Sequence, residues 1–334
     1  MGFTAGYSKR SIEMDELKRE DDLNSIYGPI CGKYYHYCYL ESMHDKIAHE
    51  DPGDPYSTLI LGLSYGIMGV ETEFFDKPAI NLAMHNQDLF YDMMHIYRIM
   101  QSANHFTDCV FVLGYYSFYF DLSMGINKEN CLKFYAPLFG TVHHALEYQD
   151  LIGRVKALVS DPGFVAWYHT YFTNHPSYYG AHYIRESDNV FFGPGREFSG
   201  NWLGATEEDR RQMAEYRAGR HNKIRYPHTF QENVELFGMA VKMLDAAGIR
   251  AHVVIPPFSE EYLELIDPGF KEEMIAVLDD LPYLIDFMDF NEVGGFGSED
   301  FADPDHLNLQ GAIKFSKMLN EILLCSDPSV EVKE

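Results

Sequence analysis

The chain has 334 residues and is 46% hydrophobic, enough to bury the core of one large α/β domain or two modest ones. Its 26 basic and 51 acidic residues leave a formal net charge of −25. Neither a nucleic-acid backbone nor an anionic membrane surface is therefore expected as a main partner, because both would repel it.

The N-terminal stretch is rich in charge and has no apolar core of a secretory leader, and no apolar run long enough to span a bilayer follows. The sequence thus predicts no transmembrane segment and a cytoplasmic setting. The five cysteines (Cys31, Cys38, Cys109, Cys131 and Cys325) are scattered without Cys-x-x-Cys spacing, so neither a zinc site nor a disulfide framework is expected.

Residues 1–50 read as an N-terminal helical extension, with an amphipathic stretch over Ile12–Leu23 and a Tyr- and Leu-rich face over Gly32–His49. Asp51-Pro-Gly-Asp-Pro55 breaks the chain. From 51 to 325 we expect a single α/β domain. Apolar runs at 56–64, 78–84 and 109–116 suit buried strands, and Asp88–Ser102 between them reads as a helix. Thr229-Phe-Gln-Glu232 matches a capping box, followed by apolar residues at helical spacing from Phe230 to Leu244 and a stop at Gly248. Residues 249–257 form the next strand, closed by two prolines. Strand and helix signals thus alternate at 56–116 and again at 229–323, the pattern of a three-layer α/β/α fold with a mainly parallel sheet. Between them, 150–205 is an insertion dense in Tyr, His, Phe and Gly, read as an irregular subdomain, as the wall or lid of a pocket, or as both. Residues 326–334 read as a frayed tail.

Two places can do chemistry. Gly62-Leu-Ser64-Tyr-Gly66 closes the first strand, where a sharp turn can project a serine hydroxyl beyond the sheet; such a serine is also common in purely structural turns. Far along the chain, Asp303 and His306 stand three apart before an amphipathic helix with apolar positions Leu309, Ala312, Ile313, Leu319, Ile322 and Leu323, for which Asn308 is the expected N-cap. Asp-x-x-His lets a carboxylate hold the imidazole tautomer while the other ring nitrogen faces a hydroxyl. Asp303 or Asp305 can instead merely cap the helix, with His306 bonding locally. The 15 histidines, among them His85, His143, His144, His169, His175 and His182, show no His-Glu-x-x-His or His-x-His spacing, so no metal site is expected. No P-loop or Gly-x-Gly-x-x-Gly run is present, and no cofactor is implied.

Ser64 after the first strand, joined with Asp303-Pro-Asp-His306-Leu-Asn before the last helix, resembles the SGNH/GDSL hydrolase superfamily. In that family the nucleophile comes first and a C-terminal Asp-x-x-His supplies acid and base. The resemblance spans about 56–323 and implies a flavodoxin-like sheet, with Ser64, His306 and Asp303 as a catalytic triad. Asn81–Asp88 stands where the family's glycine-bearing second block is expected, and Leu113–Ser117 where its Gly-x-Asn-Asp block is expected. Pro256-Pro-Phe-Ser-Glu-Glu-Tyr262 looks like a segment of bacterial members acting on surface polymers, including DltD-like proteins. Here the usual Gly-Asp-Ser reads Gly62-Leu63-Ser64, the second-block glycine is replaced near Asn86, and the third-block asparagine falls near Tyr116 or Ser117. The resemblance therefore implies Asn86, Ser117 and Tyr116 as oxyanion or substrate-binding candidates. It also implies an esterase or O-acyltransferase acting on a small-molecule or glycan ester, with polysaccharide modification as the setting. A binding or assembly protein that keeps the scaffold without turnover, and a nucleotide-binding Rossmann-like protein, stay open as alternatives.

Overall fold

The computed structural model describes residues 34–101, 105–125, 127–128, 130–131, 135–144, 152–153, 156–157, 159–164, 183–185, 190–192 and 202–325. The helix expected over Ile12–Leu23, most of the aromatic insertion and the tail 326–334 lie outside them. In chain order the elements are α1 (Tyr34–Ala48), β1 (Thr58–Gly62), α2 (Ser64–Gly69), β2 (Ala79–Asn81), α3 (Leu89–Ile99), β3 (Asp108–Val112) and α4 (Ala136–Phe139). A hairpin of β4 (Tyr183–Arg185) and β5 (Val190–Phe192) falls inside the insertion. Then come α5 (Glu207–His221), α6 (Pro227–Ala246), β6 (Arg250–Ile255), α7 (Glu260–Leu263), α8 (Gly269–Asp280), β7 (Ile285–Asp289) and α9 (Phe290–Val293). A short pair, β8 (Phe301–Asp303) and β9 (His306–Leu307), precedes α10 (Leu309–Cys325).

Five strands form one parallel sheet in the order β2-β1-β3-β6-β7, flanked by helices as the expected three-layer α/β/α fold. All five residues of β1 and of β3 are buried. This is why those strands read as unbroken apolar runs: a central parallel strand is covered on both faces. Strand β7 lies at the edge and is mostly half-buried, which fits Asp286, while the buried Asp289 at its end accepts from the Tyr115 hydroxyl at 2.7 Å. Helix α6 lays Phe237, Val241 and Leu244 on the sheet, with Phe237 edge-on to Phe111 at 5.1 Å between ring centroids. Helix α1 buries Tyr39, Leu40, Met43 and Ile47 in the same core.

Two local expectations need correction. Helix α6 begins at Pro227, two residues before Thr229, and Tyr226 is its N-cap without a side-chain bond. Proline at the first helical position pre-sets the backbone and so starts the helix early, leaving Thr229 buried inside the first turn. A reciprocal capping box does form, at Thr206 and Asp209 of α5. In α10, Leu309 is exposed rather than part of the buried face, and Phe315 fills the core beside Ala312, Leu319 and Leu323. Asn308 does cap that helix, accepting from the Gly311 N–H at 3.0 Å.

The turn after β1 is tied down from behind. Gly62 has φ 114°, and a Cβ there would sit 2.2 Å from the Val112 carbonyl oxygen, so only glycine fits. Its N–H donates to Asp92 of α3 at 2.9 Å, and Gln87 Nε2 donates to the same oxygen at 2.6 Å. Burial pushes the Asp92 carboxyl up to about 7, outweighing those two bonds. Below the ordinary carboxylate range Asp92 is protonated in both folded and unfolded chains. As pH rises, the unfolded chain releases its proton first, so folding loses stability between about pH 4 and about pH 7. The full effect is about 4 kcal/mol. Asp92→Asn should flatten that part of the stability profile, measured by denaturant unfolding at several pH values. A wild-type-minus-variant difference that stays constant with pH would show that Asp92 is ionised throughout.

Candidate active site

Strand β1 has β2 on one side and β3 on the other, so the chain reverses its direction of travel across the sheet there. Ligands of open parallel sheets bind outside the carboxyl ends of the strands at such a switch point. Ser64 follows β1 directly and opens α2; Gly114-Tyr115-Tyr116 follows β3. Helix α2 is held in place by Asn81 at the end of β2, whose Nδ2 donates to the carbonyls of Gly66 and Val70. Tight packing completes the fixation: a Cβ on Gly66 would meet the Ala83 Cβ at 2.5 Å.

At this position Ser64 Oγ and His306 Nε2 are 2.8 Å apart, although 242 residues separate them in the chain. On the other side of the ring, His306 Nδ1 faces Asp303 Oδ1 at 2.9 Å and Oδ2 at 3.0 Å. Asp303 Oδ1 also accepts the backbone N–H groups of Asp305 and His306, at 3.0 and 2.9 Å. The Asp-Pro-Asp-His turn thereby fixes carboxylate and imidazole as one unit, with β8 and β9 as its stem.

A second carboxylate stands behind the first. Asp305 is fully buried, with Oδ1 3.5 Å from His306 Nδ1. It accepts from Arg217 Nε at 2.7 Å and from the Tyr65 hydroxyl at 2.7 Å. Burial alone would raise its carboxyl, but the neighbouring His306 and Arg217 charges hold it well below the usual range. For His306, burial disfavours the imidazolium, yet Asp303 and Asp305 outweigh it and hold the ring above the ordinary histidine value. His221, one helical step from Arg217, is pushed down to about 3 by burial and so stays neutral; its Nδ1 pairs with the Tyr262 hydroxyl at 2.6 Å.

These groups border a cavity of about 660 Å³. Ser64, His306, Asp303, Asn86 and Tyr116 line it. Asn86 has φ 58°, a left-handed conformation that glycine adopts freely and asparagine tolerates best among the rest. Its Oδ1 accepts from Asn127 Nδ2 at 3.1 Å. The Tyr116 hydroxyl is bonded to that of Tyr65 at 3.1 Å. Ser117 is not brought to the cavity: it is buried, and its Oγ accepts the Gly114 N–H at 3.0 Å, which closes the turn after β3. Arg217, Arg220 and Lys223 of α5 and the turn after it form a cationic wall of the same cavity.

Sequence reasoning named Ser64, Asp303 and His306, which the structure brings together, and missed Asp305, Tyr65 and Arg217. Asp305 was visible inside the Asp-Pro-Asp-His run, and Arg217, Arg220, His221 and Ile224 carry the i, i+3, i+4, i+7 spacing of one helix face. Among the described residues, no helix is long and apolar enough to cross a membrane.

No protein-family model and no curated protein matches the chain. One solved structure, a Streptococcus pneumonia protein provisionally described as a platelet activating factor, aligns over 94% of this chain and 100% of its own at 12% identity, with a TM-score of 0.39. That level of likeness is too low to bear on the site. What defines the molecule is its own architecture: an α/β protein with one five-stranded parallel sheet and a serine, a histidine and two aspartates gathered at the switch point.

Proposed function

We propose that the chain is a serine-dependent acyl ester hydrolase or O-acyltransferase, with Ser64 as nucleophile, His306 as general base and acid, and Asp303 as the group that orients the imidazole and stabilises its protonated form. The observation that carries this reading is the 2.8 Å contact between Ser64 Oγ and His306 Nε2, continued to Asp303 at 2.9 Å. A hydroxyl is a poor nucleophile at its own pKa and is activated by an adjacent base that is itself held by a third group. His306 takes the hydroxyl proton as Ser64 attacks the ester carbonyl, then returns it to the departing alcohol. Water, or a sugar hydroxyl, accepts the acyl group in the second half of the reaction.

The developing oxyanion needs donors. The N–H of Ser64 stands in the first turn of α2, where backbone donors have no helical acceptor. Asn86 is the second candidate, in the cavity wall and in the backbone conformation expected where the related family carries glycine. Tyr116, whose hydroxyl is committed to Tyr65, reads better as a substrate-binding wall. The resemblance to SGNH proteins that act on surface polymers favours a glycan ester as substrate, and the cationic wall from Arg220 and Lys223 favours one that carries negative charge.

The withdrawal of Ser117 from the cavity favours a second reading: a protein that keeps the scaffold and binds its ligand without turnover, having lost one of its candidate oxyanion donors. A fluorophosphonate probe separates the two. Covalent labelling of the wild type, abolished by Ser64→Ala, is the expected result. A folded wild type that resists labelling would instead select the binding protein.

A further inference from the structure

A second group of metal-ligating side chains shares only Asp121 with the lining of the serine cavity and plays no part in the chemistry above. Asp121 lies in the loop after β3, His143 and His144 follow α4, and Glu232 is in the second turn of α6. Each offers one ligand atom, and these atoms lie within 4.8 Å of one another. His144 Nε2 is 3.0 Å from Asp121 Oδ2 and 3.4 Å from Glu232 Oε2, and His143 Nε2 is 3.5 Å from Glu232 Oε1. Four donors bound at 2.0–2.1 Å around a tetrahedral ion are about 3.3–3.4 Å apart, a value that the three contacts of 3.0, 3.4 and 3.5 Å bracket.

The remaining valences are arranged for the same purpose. His143 is buried, and its Nδ1 faces Asp88 Oδ2 at 3.1 Å. An Nδ1–H donated to that carboxylate leaves the Nε2 lone pair as the ligand, the carboxylate–histidine–metal pattern. That Nε2 is buried and makes no hydrogen bond. Phe90 stacks on the His143 ring at 4.7 Å with an interplanar angle of 1°, fixing its direction. Asp121 Oδ1 accepts from the N–H and hydroxyl of Ser123, at 2.7 and 2.6 Å, and lies 3.3 Å from His143 Nδ1, while Oδ2 faces His144 Nε2 at 3.0 Å. His144 takes φ 53°, and the two adjacent imidazoles stack at 4.2 Å and meet the same carboxylates.

We infer that Asp121, His143, His144 and Glu232 bind a divalent transition-metal ion, with zinc the best match. Two imidazoles and two carboxylates suit zinc and its neighbours, whereas calcium and magnesium take oxygen ligands alone. Four protein donors close the coordination sphere, so the site is structural. It pins the loop bearing Asp121, Leu122, Met124 and Gly125, which is one wall of the active-site cavity, to α6 and to the chain after α4. No ligand-spacing motif announces it, because the donors come from three separate segments.

The test uses the full chain, stripped with a chelator and titrated with Zn²⁺ by calorimetry and with Co²⁺ by visible absorption. One equivalent should bind, the cobalt form should show the intense d–d bands of tetrahedral coordination, and zinc should raise the unfolding temperature. Glu232→Gln and His144→Ala, at positions partly exposed and therefore tolerant of change, should each weaken binding at least about tenfold and remove the bands. Ser64→Ala and His306→Ala should bind as the wild type does, which keeps this result independent of the proposed catalysis. Absence of stoichiometric binding, or equal binding by Glu232→Gln and His144→Ala, would overturn the inference. So would loss of binding in His306→Ala alone, which would place the ion at the Asp303-Asp305-His306 cluster.

Discussion

Replacing His306 with alanine should lower kcat for an activated ester by about 10⁴–10⁶-fold in a variant that still unfolds cooperatively. Among the described residues the imidazole is the group placed to take the proton of Ser64 Oγ, at 2.8 Å, and it joins Asp303 to the hydroxyl. Members of such a relay act as a unit, so adding Ser64→Ala to His306→Ala should cost little more than either alone. Steady-state kinetics on the two single variants and the double variant read this directly. Additive losses would mean that serine and histidine work in separate steps, and the proposed relay would have to be abandoned.

The second large effect concerns the charges behind the histidine. His306 must be neutral to act as base, so kcat/KM should rise with pH through its pKa, which lies above the ordinary histidine value. Asp305→Asn removes an anion 3.5 Å from Nδ1 and should carry that rise toward lower pH by about one unit or more. Arg217→Met removes a cation that opposes the imidazolium and should carry it toward higher pH. Arg217→Met also strips the buried Asp305 of its ion-pair partner, at a cost of about 3 kcal/mol in folding stability. The double variant removes both charges and should recover much of that loss. Shifts of the two single variants in the same direction would show that the pair acts on the histidine through packing rather than charge.

What could be read in the sequence was what is local or periodic. Strands β1, β3 and β6 were legible because a covered parallel strand writes itself as an unbroken apolar run. Edge strand β7, with aspartates at 286 and 289, carried no such signal. Thr229-x-x-Glu232 has the letters of a capping box, but Pro227 starts the helix earlier, and only the backbone shows which signal wins. Asp303 and His306 were legible because three residues and one turn suffice to join them. Arg217 and Asp305 meet across 88 residues, and the donors around Asp121 come from three segments, so neither grouping follows from spacing. For Ser117 the place in the motif was clear, but the turn in which its oxygen accepts the Gly114 N–H was not.

The distance in sequence between Ser64 and His306 has a consequence for biosynthesis. The serine is made early and follows a strand that can pair with β2 and β3 as soon as they emerge, yet its partner arrives only with β8, β9 and the last helix. Contacts of such long sequence separation form after the local ones, since their loop-closure entropy is met last. A nascent or C-terminally truncated chain can therefore have most of its sheet while its serine remains chemically inert. Reactivity toward an electrophilic probe would then report completion of the whole fold, and a ribosome-stalled chain ending before Asp303 should be silent where the released protein is not.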